Sequence, residues 1–323
     1  LFEHHTTSLV FNDPPLHSRV RKIMTGAMNP KAVALMEPGL EKLIDGLLNT
    51  LEDESNLIEE FAMKIPVEVI GNLFNIPHSQ RGPLRDWSLA ILGALEPSPT
   101  NIQLSKGNTA VLEFKDFLKD ITDERRINPG NPDTDVLTRM LEAEESNLSE
   151  TELLQNCIFI LNAGHETTTN LIGNSLWALS HYPAAKEMLI NTPEMLDLAI
   201  EEFLRFLSPN QFGNRETASE VILGGKKIPK YSNLHLCIGA ANRDPLQFEQ
   251  PEKLIIDRNP NRHLAFAGGA HHCVGSSLAK MEARIAIRKF LKKFPNYELV
   301  SEPIWSKRIR FRGLTHLQAR LEN

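Results

Sequence analysis

Cysteine is scarce in this chain: Cys157, Cys237 and Cys273 are the three in 323 residues. No two form a C-x-x-C pair, and so odd and sparse a set excludes a disulfide framework and reads as a reducing, cytoplasmic setting. Long apolar runs are missing too. No stretch reads as a bilayer span, and the opening LFEHHTTSLV lacks the build of a signal peptide, so no membrane partner is expected. There is no excess of positive charge. The net charge of −6 argues against a general nucleic-acid binder. Adjacent histidines occur at His4-His5 and His271-His272, but no H-x-x-x-H or H-E-x-x-H spacing does, which argues against a histidine-built transition-metal site. Internal repeats and low-complexity tracts are lacking, and the chain opens without an initiator Met.

What is present is helical periodicity over the first two thirds, broken at Glu96–Pro99, Asn128–Asp133 and Asn191–Pro193, where Pro, Gly and Asn cluster. The clearest element starts at the capping box Ser149-x-x-Glu152. Apolar residues follow on nearly every face, from Leu153 through Ile158, Leu161, Leu171 and Trp177, to a stop at His181-Tyr182-Pro183. The pattern predicts one buried helix of about 30 residues running through the centre of the molecule. Its middle, Ala163-Gly164-His165-Glu166-Thr167-Thr168, is a poor choice for a packed core. A second helix is expected from Thr192-Pro193, with Leu196, Ala199, Ile200, Phe203 and Leu207 on one face and Glu202 and Arg205 roughly opposite. Strand signal is confined to the last third: a Gly-Gly hairpin over Val221–Ile228, Tyr231–Gly239, and His316–Leu321. The helix after Cys273 turns Leu278, Ile285 and Leu291 inward. The expected fold is mainly α with a small β component, in a single domain over residues 1–323.

The stretch FAGGAHHCVG, Phe266 to Gly275, carries the strongest chemistry. Its glycines allow close backbone approach or positive φ, and the next helix starts just after the sulfur, where free N–H groups favour a thiolate. Those features suit Cys273 as a metal ligand. With His271 and His272 as candidate bases, a nucleophile stays open from this stretch alone, as does a buried small hydrophobe.

Phe266-x-x-Gly269-x-x-x-Cys273-x-Gly275 resembles the haem-binding signature of the cytochrome P-450 family. Three further motifs follow the family's order. Ala163-Gly164-x-Glu166-Thr167 resembles its acid–alcohol pair on the central helix; read by itself, it is a polar kink or a threonine bonding back to the helix. Glu202-x-x-Arg205 resembles the E-x-x-R motif, although by spacing it is an ordinary surface ion pair. His17-x-x-x-Arg21 resembles a haem-propionate motif, with both side chains on one helix face. Arg215 and His271 match the other propionate positions. The chain departs from the pattern at Pro251-Glu252-Lys253-Leu254, where the family has P-x-R-F; Lys cannot supply the bidentate fork of Arg, which leaves Arg258 as a possible substitute.

The resemblance implies a cytochrome P-450-like fold without its front, since members carry a longer stretch before Asp13-Pro14-Pro15. It implies haem b bound through the Cys273 thiolate, which favours O–O cleavage. Ala163 and Gly164 would leave room for O2, Thr167 would donate a hydrogen bond to it, and Glu166 would relay protons. Glu202 and Arg205 would brace the cysteine loop. The implied reaction inserts one atom of O2 into a small apolar organic substrate, with electrons from a ferredoxin and a ferredoxin reductase. Arg19 and Lys22, with Lys280 or Arg284, are candidates for a basic docking patch or for a plain solvated face. Leu161, Ala163, Phe212 and the Leu89–Asn108 region are expected at the substrate wall. The rival readings are a peroxide-driven haem peroxygenase and a non-catalytic haem-binding protein.

Overall fold

The computed structural model describes residues 1–322, the side chains of residues 27 and 143–147 excepted. Its helices are α1 (Phe2–Thr7), α2 (Leu16–Ala27), α3 (Pro30–Asn49), α4 (Lys64–Leu73), α5 (Leu84–Gly93), α6 (Asn101–Ile127), α7 (Val136–Asn147), α8 (Glu150–Ala163), α9 (His165–His181), α10 (Pro183–Asn191), α11 (Leu196–Phe206), α12 (Ile238–Ala241) and α13 (Ser276–Lys293). The strands are short: β1 (Glu54–Asn56), β2 (Phe212–Glu216), β3 (Val221–Leu223), β4 (Lys226–Ile228), β5 (Asn233–Cys237), β6 (Glu298–Leu299), β7 (Ile304–Trp305), β8 (Leu314–His316) and β9 (Gln318–Arg320).

The central helix starts where its capping box predicts. The Ser149 hydroxyl accepts from the Glu152 amide at 3.2 Å, and the Glu152 carboxylate accepts from the Ser149 amide at 2.8 Å. It does not continue unbroken. Gly164 separates α8 from α9, although its backbone stays right-handed at φ −84° and ψ −20°. Around the gap, side chains compete for the carbonyls of the ladder. His165 Nδ1 lies 2.5 Å from the Leu161 carbonyl, and the Thr167 and Thr169 hydroxyls donate to the Ala163 and His165 carbonyls at 2.9 Å each. With glycine's weak helix propensity, this interrupts the expected single helix in its polar middle.

The core forms two apolar clusters. One gathers Leu171 and Leu176 of α9, Phe203 of α11, and Ile285 and Phe290 of α13. The other gathers Val20 and Met24 of α2, Phe114 and Leu118 of α6, and Ile158 and Leu161 of α8. The break at Gly164 falls between them. On α11 the expected face, Leu196, Ala199, Ile200, Phe203 and Leu207, is buried, behind a short 3-10 turn at Pro193–Met195. The stop read at Pro183 is instead the first residue of α10, a position proline tolerates because its missing N–H is not needed there.

The sheets are antiparallel, in the orders β1-β9-β6, β2-β5, β3-β4 and β7-β8. The β3–β4 hairpin turns at Gly224 and Gly225, with φ of +56° and +75°, as a two-residue turn of this hand demands. Strand β5 pairs with β2, which carries Arg215.

Candidate active site

Cys273 lies between a tight loop and α13. The Cys273 amide donates to the Phe266 carbonyl at 2.9 Å and closes the loop. Gly269 has φ +67°, in the left-handed region that favours glycine. Gly275 is the N-cap of α13 and, having no side chain to cap with, directs its N–H at the sulfur. Burial pushes the Cys273 thiol above its ordinary value, against the pull of the Gly275 N–H and the Arg21 charge. A sulfur so placed becomes a thiolate when a cation meets it. Phe266 packs against the first core cluster and Val274 against the second, so the loop bridges the two.

Behind the loop stands a fully buried ion pair. The Glu202 carboxylate accepts from Arg205 Nε and Nη2 at 2.8 Å each, with both side chains at 0% exposure. Arg205 donates further to the carbonyls of Asn242, Pro251 and Lys253 at 2.9 Å, so all five of its N–H groups are engaged. The second arginine at Glu202 is Arg258, whose Nε donates at 3.0 Å. Lys253, the residue that departs from the motif, contributes a backbone carbonyl alone. Glu202 thus meets two arginines, Arg205 and Arg258. Asn261 and the Ile255 amide also donate to Glu202, while Asn242 Oδ1 accepts from the Leu264 amide at 2.7 Å, two residues before Phe266.

His17, Arg21, Arg215 and His271 lie near enough to one another to interact electrostatically, with two arginines and two histidines as donors. His17 is buried, its ring centroid 4.3 Å from that of His271, and its Nε2 has no partner. Desolvation and the Arg21 charge lower the pKa of His17; desolvation, His17 and Arg215 lower that of His271. The acid that opposes this is Asp13, 93% exposed and 3.8 Å from His271. Arg21 donates to the His272 carbonyl, and Arg215 to that of its neighbour Asn214. A cleft of about 550 Å³ lies between α2 and the loop, lined by His17, Arg21, Gly269 and Ala270.

At the helix break, Ala163 is exposed while Leu161 and Asn162 before it are buried, so α8 ends facing open space. Glu166 is paired with Arg308, whose other Nη donates to the Leu89 carbonyl at 2.7 Å. Burial raises the Glu166 pKa above the usual carboxylate range, and Arg308 offsets part of the rise.

The arrangement matches known proteins over nearly the whole chain. The family model described as Cytochrome P450 matches residues 95–301. Cytochrome P450 107B1 of Saccharopolyspora erythraea is 37% identical over 316 residues, which is 95% of this chain and 76% of that protein. The 6-deoxyerythronolide B hydroxylase of the same organism is 32% identical over 321 residues, covering 98% and 78%. The solved structure of P450BioI in complex with hexadec-9Z-enoic acid ligated acyl carrier protein has a TM-score of 0.95 at 31% identity, covering 98% of this chain and 82% of that one. This chain belongs to the cytochrome P450 family.

As a P450 it is an oxidoreductase of the monooxygenase type, and the family's cofactor is haem. The residues present fit that group. A cluster of four donors with one exposed acid suits two carboxylates, and the unpartnered Nε2 of buried His17 awaits an acceptor. Among the described residues, no helix is long and apolar enough to cross a membrane, and no group of three His, Cys, Asp or Glu could hold a metal ion.

Several expectations for this P450 need correction. A Cβ on Gly164 would lie 2.4 Å from Cδ1 of Ile70, so its small size admits α4 as well. Leu161 is fully buried in the second cluster and is not a wall residue; one helical turn cannot present both it and Ala163 to the same side. The docking patch loses three of its four cations to ion pairs. Arg19 pairs with Glu152, Lys280 with Glu201 at 2.9 Å, and Arg284 with Glu37 at 3.1 Å. Desolvation would raise the Glu201 pKa, but His263 and Lys280 outweigh it and hold the carboxyl at about 2. Thr167, as expected of its residue type in a helix, bonds back to Ala163. Motif reading missed Arg308 and Glu96: neither has a local pattern, because each finds its partner across the fold.

Proposed function

We propose that this single-domain P450 is a haem-b-dependent monooxygenase of small apolar organic molecules, with Cys273 as the axial ligand. The observation that carries the reading is the Cys273 sulfur, flanked by the Gly275 N–H and the Arg21 charge, with His17, Arg215 and His271 grouped with Arg21 as further donors for carboxylates. Bound there, haem would supply the redox chemistry that activates O2. The chain's own residues hold, orient and deliver protons. His17, Arg21, Arg215 and His271 bind the two propionates. Phe266, Gly269 and Gly275 shape the loop that presents the sulfur, braced by Glu202, Arg205 and Arg258. Ala163 leaves the end of α8 open to the reacting molecules.

Glu166 is suited to hold a proton at its carboxyl, because burial raises its pKa and Arg308 fixes its position. The Thr167 hydroxyl, half-exposed beside the break, is the group to pass that proton on. To do so its O–H turns from the Ala163 carbonyl, at the cost of one weak hydrogen bond. The acid–alcohol pair favours reductive use of O2, with electrons from a separate ferredoxin and its reductase in the cytoplasm, over a peroxide-driven reaction.

The reduced carbon monoxide spectrum tests the assignment. The protein should show a thiolate-type Soret band, and Cys273→Ser should lose it while keeping the helical circular dichroism. A band that survives in Cys273→Ser overturns the ligand assignment.

A further inference from the structure

Two arginines two residues apart have opposite circumstances. Arg308 is satisfied by the Glu166 carboxylate and the Leu89 carbonyl. Arg310 is half-buried, and its Nε is buried without a partner. Among the described residues its one side-chain hydrogen bond runs from Nη1 to the Phe212 carbonyl, at the limiting distance of 3.5 Å, and it makes no ion pair. A partly desolvated guanidinium with idle donors is costly unless an acceptor, best an anionic one, meets it.

Its neighbours in the chain place it in a segment beside the helix break. The segment Arg308–Arg310 is pinned on three sides. Arg308 reaches Glu166 of α9. The Ile309 and Arg310 amides both donate to Glu96 Oε2 at 3.0 Å, in the connection between α5 and α6. The Gln211 amide donates to the Arg310 carbonyl at 2.7 Å, next to Phe212 at the start of β2. Glu96 is near enough to act on Arg310 electrostatically; its Oε2 is engaged by the two backbone amides, while its Oε1 is buried without a hydrogen-bond partner and is not bonded to the guanidinium.

We propose that Arg310 is a substrate-recognition residue and that the substrate is an apolar molecule bearing a carboxylate, held by the Arg310 guanidinium with its apolar part directed toward Ala163. This rests on the monooxygenase reading and adds the substrate class to it. Arg310 would be a binding group, remote from the proton path that Glu166 and Arg308 occupy.

The test titrates the haem-loaded protein with hexadec-9-enoic acid, decanoic acid and the methyl ester of each, at mildly alkaline pH where the acids are ionised. Binding is read by calorimetry and by the shift of the Soret band. At least one acid should bind about tenfold more tightly than its ester, the scale of one charge-assisted hydrogen bond. Arg310→Leu should abolish that preference and leave ester binding within about twofold; Arg310→Lys should keep part of it, because the charge remains without the fork. Equal affinity of acid and ester in the unaltered protein, equal loss of both in Arg310→Leu, or no binding of either acid overturns the proposal. The carbon monoxide spectrum separates the two readings. A normal thiolate band with no acid preference defeats the carboxylate assignment alone, whereas a missing band defeats the haem-thiolate reading beneath it.

Discussion

Ala267 is held in a conformation its side chain resists. It sits at φ +57° inside the loop that presents Cys273, with its amide bonded to the Leu264 carbonyl at 2.8 Å. A Cβ in the left-handed region costs about 1 kcal/mol, and glycine removes that strain. Ala267→Gly is therefore expected to raise the stability of the haem-free protein by up to about 1 kcal/mol, measured by urea denaturation. A loss of stability would mean that the alanine methyl packs usefully. At this scale the cysteine loop was legible, because Phe266, Gly269, His271, Cys273 and Gly275 stand together in one stretch. Arg308 and Arg310 were not: an arginine's significance lies in its acceptor, and Glu166 and the Phe212 carbonyl are distant in sequence.

Among the elements, α13 holds an acid without a stated purpose. Glu282 is 3% exposed, its Oε2 has no partner, and burial pushes its carboxyl up to about 8 from 4.5. Between those values the folded protein keeps a proton that the unfolded chain releases. Stability is thus greatest below about pH 4.5, as far as this group goes, and falls as pH rises toward about 8, by up to roughly 5 kcal/mol across the window. Glu282→Gln should flatten this part of the profile and be more stable than the unaltered protein at the alkaline end, in denaturation curves recorded across pH. An unchanged slope would show that another group carries it. The helix itself was readable from periodicity, and so were α8 and α11. The break between α8 and α9 was foreshadowed by the polar middle of the pattern. Its place was decided by side chains of His165, Thr167 and Thr169 taking backbone carbonyls, and by Ile70 of α4 pressing against Gly164.

Across the whole molecule, Glu202 joins α11 to the segments that carry Arg258, Asn261 and the cysteine loop. Removing one partner from a buried charge costs about 3 kcal/mol or more, since the remaining carboxylate loses its compensation. Arg258→Ala is expected to lower unfolding stability by that order and to make the protein release haem sooner, followed as Soret decay with apomyoglobin as acceptor. Arg258→Lys should restore the charge but not the full effect. Retention of haem at the unaltered rate in Arg258→Ala would show that the loop is held by other contacts. Local order along the chain was enough for the residue types that chemistry needs and the helices that carry them: the thiol beside a helix start, the acid–alcohol pair, the E-x-x-R spacing and the amphipathic faces. These are local properties, set by neighbours within one or two helical turns. The fold as a whole settled which arginine joins Arg205 at Glu202, which cation fixes Glu166, which basic residues are already ion-paired and which guanidinium keeps an idle Nε. Those depend on where distant segments meet, and packing of the two apolar clusters, with no regard to charge, sets that.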